Sequence, residues 1–154
     1  MKRRFMRPAL CVSSFFLLTL GCGLQARSLR VLLPQPMQTA STEFSLDNNR
    51  VRIVVTFNRP VALNSLLPRQ NVLLQTPQNA DADTTIQAGP TPLEAVITSV
   101  DDASVLFPAG TSAFTLRLLG SGATPITATT GLGLDQDPTT AAIDDYQTMF
   151  TITR

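Results

Sequence analysis

The chain has 154 residues, a formal net charge of +1 and a hydrophobic fraction of 44%. It contains no His, and its single Lys is Lys2. These gaps exclude Ser-His-Asp and Cys-His catalysis, His-ligated metals, Schiff-base chemistry and the phosphate-loop lysine, so we expect no enzyme.

The N-terminal residues combine a charged head with a short apolar segment. The sequence MKRRFMRP carries four positive charges and no acid, and an apolar stretch runs from Ala9 to Leu20. That stretch is too short to cross a hydrocarbon core of about 30 Å as a helix. It predicts a secretory signal peptide over residues 1–21 and an exported mature chain. Arg3 and Arg4 also allow twin-arginine export, but Phe5 lies one residue too close to them, so ordinary secretion is preferred.

Cys22 directly follows the apolar segment, behind Leu18-Thr19-Leu20-Gly21. This run resembles the bacterial lipobox, which implies diacylglyceryl transfer to the Cys22 thiol, cleavage before it and acylation of the new amino terminus. Several acyl chains hold a protein on a bilayer where one does not. The alternative is simple secretion with cleavage after Ala26. Cys11 leaves with the signal peptide, so the mature chain has no second cysteine for a disulfide.

The mature chain is acidic. From Cys22 onward it has eight Arg, no Lys and eleven acids, a balance of −3. This argues against a nucleic-acid partner, which would require a clustered basic surface. Residues 22–49 contain polar residues and two prolines. They predict a lipidated terminus and tether, with a first strand over Ser28–Leu33.

From residue 50 to the C-terminus the pattern is that of short strands. Val51, Ile53, Val55 and Phe57 alternate with mostly polar residues and predict one buried strand face. Further strands are predicted over 71–76, 84–87, 94–100, 103–107, 113–120 and 148–153, with 94–100 and 103–107 forming a hairpin around Asp101-Asp102. These elements predict an antiparallel β-sandwich of about seven strands.

Five sequence pieces occur in an order that is known from one family. VRIVVTFNRPV at 51–61 is followed by FTLRLLG at 114–120, Pro125-Ile126, GLGLDQD at 131–137 and DYQTMFTI at 145–152. Residues 50–154 thereby resemble bacterial Ig-like domains of the S-layer type. The resemblance implies an all-β, antiparallel Ig-like Greek-key sandwich, used as a spacer, adhesion unit or accessory domain. Phe114 stands where the family often has Tyr, and it cannot make the hydroxyl bond of a tyrosine corner.

Acidic residues near the C-terminus form the candidate metal site. Carboxylates are preferred calcium ligands, and Asp-x-Asp in a loop places two of them on one side of a turn. The alternative is that these acids only stabilise the loop. With Glu94 they are also the paired carboxylates available to a glycosidase. The candidate calcium ligands are Asp135, Asp137, Asp144 and Asp145.

Four arginines of the predicted strands and their flanks form the candidate partner surface. Arg is enriched at interfaces, although strand arginines also discourage edge-to-edge pairing. The residues are Arg50, Arg52, Arg59 and Arg117, expected on one outward sheet face. Gly120-Ser121-Gly122 is predicted to be a turn, because no base is available to activate the serine.

These features together predict a non-catalytic lipoprotein of the bacterial cell envelope, anchored in the outer membrane, with one Ig-like binding, adhesion or structural domain. Its partners are the membrane, through the lipid, and an envelope protein or polysaccharide. No cofactor is expected apart from the candidate calcium. The alternative is a freely secreted carbohydrate-binding or carbohydrate-cleaving domain.

Overall fold

A computed structural model describes residues 35–139 and 142–154, which lie within one compact unit. Two four-stranded antiparallel sheets, with strand orders β1-β2-β6-β5 and β4-β3-β7-β8, confirm the predicted β-sandwich. None of the described helices is both long and apolar enough to cross a membrane. The strands are β1 (Thr39–Asp47), β2 (Arg50–Phe57), β3 (Val72–Gln75), β4 (Asp81–Ala82), β5 (Thr84–Ala88), β6 (Glu94–Ser99), β7 (Thr111–Leu118) and β8 (Tyr146–Thr153).

The alternating pattern of β2 is reproduced residue by residue. Its four predicted core residues, from Val51 to Phe57, are at most 1% exposed. They face the inner residues of the second sheet, including Leu74 and Leu116, which are fully buried. Full burial of such a side chain stabilises a domain by about 1.5–3 kcal/mol. The core between the sheets is therefore the main source of stability.

A row of phenylalanines closes the side of the sandwich where β1 and β8 meet. The Phe44 ring stacks on Phe150 with 3.8 Å between centroids, and Phe150 stacks on Phe114 at 5.6 Å. Phe114 also meets Phe107 edge to face at 5.2 Å. Phe114, at the position where the family often has Tyr, is thus a core ring, and its apolar contacts are those that aromatic pairs prefer.

The predicted strand over 103–107 and its hairpin are wrong. Residues Ala103–Leu106 form one helical turn, α1, and the amide of Phe107 donates to the carbonyl oxygen of Ala103 at 3.0 Å. The buried residues are Ala103, Leu106 and Phe107, whereas Val105 is 73% exposed. Spacings of three and four are those of one helix face, whereas a strand would bury alternate residues.

The sandwich also includes residues that the sequence analysis assigned to the tether. β1 pairs with β2 through a two-residue turn, Asn48-Asn49, whose φ angles of 49° and 61° match a type I′ hairpin. Met37, before β1, is fully buried and donates its amide to Gly133 at 3.1 Å. The tether prediction therefore fails over residues 37–47. The strand predicted over Ser28–Leu33 lies outside the described residues.

Candidate functional site

The predicted lipidation site is outside the part of the chain that the structure describes. This holds for the signal peptide over residues 1–21, for Cys22 and for the alternative cleavage position at Ala26. The described chain starts at Gln35, at the end of the sandwich where Met37 forms a bridge with Leu134.

Asp145 of the candidate calcium site is bound to the backbone of a distant turn. Its Oδ1 accepts hydrogen bonds from the amides of Gly120 at 2.9 Å and Ser121 at 3.1 Å, and from the Ser121 hydroxyl at 2.9 Å. Hydrogen bonds to an ionised acceptor are among the stronger ones in proteins. Asp145 thus joins the start of β8 to the predicted Gly120-Ser121-Gly122 turn, and its carboxylate is the partner of the Ser121 hydroxyl.

Asp135 and Asp137 bind the backbone of their own loop. The Asp135 Oδ1 accepts from the amides of Asp137 at 3.2 Å and Asp144 at 3.4 Å. The Asp137 Oδ1 accepts from the amide and hydroxyl of Thr139, and these bonds lower the pKa of the Asp137 carboxyl below its usual value. In the described residues no three acidic, His or Cys side chains are grouped so that they could hold a metal ion.

Glu94 lies in the sheet of β6, whereas β8, the strand that follows Asp144 and Asp145, belongs to the other sheet. Glu94 is the first residue of β6, and its carbonyl oxygen accepts from the amide of Gly89 at 3.0 Å. No pocket opens in the described part of the chain that would surround a substrate.

The four candidate arginines are distributed over both sheets. Arg50 and Arg52 are neighbours on the outward face of β2, with ion pairs to Asp102 at 3.6 Å and to Asp47 at 3.9 Å. Arg117 lies on β7 in the second sheet, and Arg59 follows the end of β2. The structure therefore brings only Arg50 and Arg52 together on one face.

Asn71 is a buried polar residue with three side-chain hydrogen bonds, and the sequence analysis did not single it out. It is fully buried, and its Oδ1 accepts from the amide of Leu67 at 2.7 Å. Its Nδ2 donates to the carbonyl oxygens of Ser65 at 2.7 Å and Thr124 at 2.6 Å. Asn in a polar loop has no sequence signature of burial, and Thr124 is 53 residues away, so only the fold reveals this role.

No protein-family model and no curated protein matches the chain. The fold is similar to the N-terminal part of the bacterial S-layer protein SbsC, with a TM-score of 0.53 and 16% identity over 77% of this chain and 24% of that one. It is equally similar to domains 1–6 of surface layer protein SbsC, with a TM-score of 0.53, 16% identity and coverage of 77% and 14%. The chain thus spans less than a quarter of each of these chains, and the likeness is one of fold.

Proposed function

We propose that the protein is a non-catalytic lipoprotein of the bacterial cell envelope whose Ig-like domain is a binding, adhesion or structural module. The observation that carries this proposal is the two-sheet sandwich with the fold of S-layer domains, preceded by a charged and apolar N-terminus of secretory type. Fold alone does not determine function, so the proposal rests on the two features together.

The non-catalytic role is supported by the side chains that the sequence offers. The whole chain has no His and no Lys after Lys2. Asp145 and Asp135, two of the remaining acids, accept hydrogen bonds from backbone amides of the loops that they stabilise. A general acid or base has to be free to exchange a proton with a substrate.

The sequence separation between Cys22 and the sandwich limits how far an anchored domain could lie from the membrane. Residues 23–34 separate Cys22 from Gln35. The 13 residue steps from Cys22 to Gln35 reach at most about 47 Å, because an extended chain spans at most about 3.6 Å per residue. A lipid on Cys22 would therefore keep Gln35, next to the Met37 end of the sandwich, within about 47 Å of the membrane.

The two cysteines of the chain allow a matched test of the anchor. The protein is expressed from its full sequence in a bacterium supplied with labelled palmitate. We expect the label in the unmodified protein and in Cys11→Ser, because Cys11 lies within the signal peptide. Cys22→Ser should lose the label and accumulate precursor. A mature amino terminus at Arg27, or label retained in Cys22→Ser, would overturn the lipid anchor and favour a freely secreted domain.

A further inference from the structure

The sandwich has four edge strands, and three of them are protected. An edge strand presents unpaired backbone groups, and charges, bulges or short length normally prevent it from pairing with another chain. β4 has only two residues and β5 only five, so both are short. β1 carries Glu43 and Asp47 and has an irregular register between Thr39 and Ser41.

The fourth edge strand, β8, has none of these protections. Its sequence YQTMFTIT contains no charge, Pro or Gly, and its eight residues pair with β7 in unbroken register. The backbone of β8 makes hydrogen bonds only to β7 within the described residues. On the outward face Gln147, Met149 and Thr151 are exposed, and Met149 is 71% exposed. Long, regular and uncharged edges of this kind are the ones that accept a further strand.

We infer that a second copy of this chain pairs with β8, antiparallel, so that the β4-β3-β7-β8 sheets of two copies become one continuous sheet about a two-fold axis. A neutral strand is compatible with itself, because no like charges meet across the pair. The same pairing through β1 would add acidic side chains to the contact. A two-fold contact uses the same surface on both copies and so closes the free edge of each.

The charges around β8 select the antiparallel direction. Asp144 and Asp145 directly precede the strand. A parallel pair would place these acids of both copies side by side, whereas an antiparallel pair separates them by the strand length, about 26 Å. Arg117 is the charged residue of β7. In the joined sheet the two copies of Arg117 are at least three strand spacings apart, about 14 Å, which exceeds the screening length of about 8 Å at physiological salt.

Cysteine crosslinking of the full chain in the cell tests the pairing. Met149 lies in the middle of β8, so Met149→Cys places two thiols near each other in an antiparallel pair. With a short bifunctional maleimide we expect a dimer band about tenfold stronger than the band from Ser45→Cys on β1 or Gln87→Cys on β5. The unmodified protein is the blank for any reaction at Cys22. A crosslink to a chain of different mass, equal bands from all three variants, or no dimer from Met149→Cys would overturn the proposal.

A charge introduced on the strand separates pairing from chance proximity on the membrane. In Met149→Cys the added substitution Thr151→Lys places a lysine on each copy of β8. We expect it to reduce the dimer band about tenfold, because lysine on an edge strand blocks strand addition. Thr85→Lys adds the same charge to β5 and should leave the band unchanged. A band that survives Thr151→Lys would show that β8 is not the contact.

Discussion

The two ends of the sandwich are built by different kinds of interaction. At the turn end, formed by residues 48–49 and 100–110, the chain reverses through positive φ angles and one helical turn. At the loop end, formed by residues 58–71, 119–139 and 142–145, bonds join residues far apart in sequence, such as Asn71 with Thr124 and Asp145 with Gly120. The first end also has bonds between distant residues, such as that from the amide of Ala103 to the carbonyl oxygen of Asn49, but the fully buried Asn71 with its three side-chain hydrogen bonds lies at the second end. Substitutions should therefore cost more at the loop end.

The largest difference is expected between two asparagines. Asn71→Ala removes three side-chain hydrogen bonds, to Leu67, Ser65 and Thr124, from a fully buried site. At about 1 kcal/mol for each bond, the free energy of unfolding should fall by about 3 kcal/mol. Urea unfolding of residues 24–154, which lack the signal peptide and Cys22, measures this change.

The matched substitution at the turn end is Asn49→Ala. Asn49 is exposed and has a φ of 61°, so Ala would be strained there by about 1 kcal/mol. The two variants should therefore differ about threefold in their effect on the free energy of unfolding. Equal losses would mean that the buried network of Asn71 adds no more stability than one turn residue and that the comparison of the ends is mistaken.

The features predicted from the sequence are those that repeat along the chain. The alternation of Val51, Ile53, Val55 and Phe57 is a property of consecutive residues, and it correctly identified the buried face of β2. Phe44 and Leu46 of β1 also alternate with Glu43 and Ser45, but the prolines that precede this strand predict a tether instead. The prediction of a strand after Asp101-Asp102 is wrong because so short a run of mostly apolar residues fits both the alternation of a strand and the spacing of a helix.

The roles of the loop residues depend on contacts that no local pattern records. Asp145 reads as a loop acid in the sequence, and only the fold places Gly120 and Ser121 beside its carboxylate. For the arginines, the alternating pattern of a strand predicts which residues face outward. It does not predict to which of the two sheets the strand belongs. The pattern therefore predicts Arg117 beside Arg52, whereas the two lie on different sheets.

A smaller difference is expected between two glycines of the loop end. A Cβ built on Gly120 would lie 2.0 Å from the carbonyl oxygen of Leu134, whose amide is bonded to Ile126. Gly120→Ala must displace this backbone, and overpacking of this kind costs about 1–3 kcal/mol. A Cβ on Gly133 meets nothing within 4 Å, so Gly133→Ala should change the free energy of unfolding by less than about 0.5 kcal/mol. Thermal unfolding of both variants makes the comparison, and a tolerated Gly120→Ala would show that the loop end is not tightly packed.

The smallest expected effect is that of calcium on the loop end. If Asp135, Asp137 and Asp144 or Asp145 held the ion, 1 mM calcium at a Kd of about 10 μM would stabilise the folded state by about 2.7 kcal/mol. For a domain of this size the melting temperature would rise by roughly ten degrees. We expect equal melting temperatures in calcium and in chelator. A rise that vanishes in Asp135→Asn/Asp137→Asn and that sodium chloride of equal ionic strength does not reproduce would contradict this.

The expectation follows from the donors that already surround the carboxylates. The Asp145 Oδ1 has three donors at 2.9–3.1 Å, which leaves Oδ2 for a cation, and in the described residues no three acidic side chains are grouped to complete such a site. Asp145→Asn tests this expectation, because it weakens the bonds to Gly120 and Ser121 while keeping the shape of the side chain. If the Asp145 carboxylate only accepts hydrogen bonds from Gly120 and Ser121, Asp145→Asn should lower the melting temperature by the same amount in calcium and in chelator. A larger decrease of the melting temperature in calcium would show that Asp145 also binds the ion. The stability of the loop end would then depend on a ligand as well as on its own polar side chains.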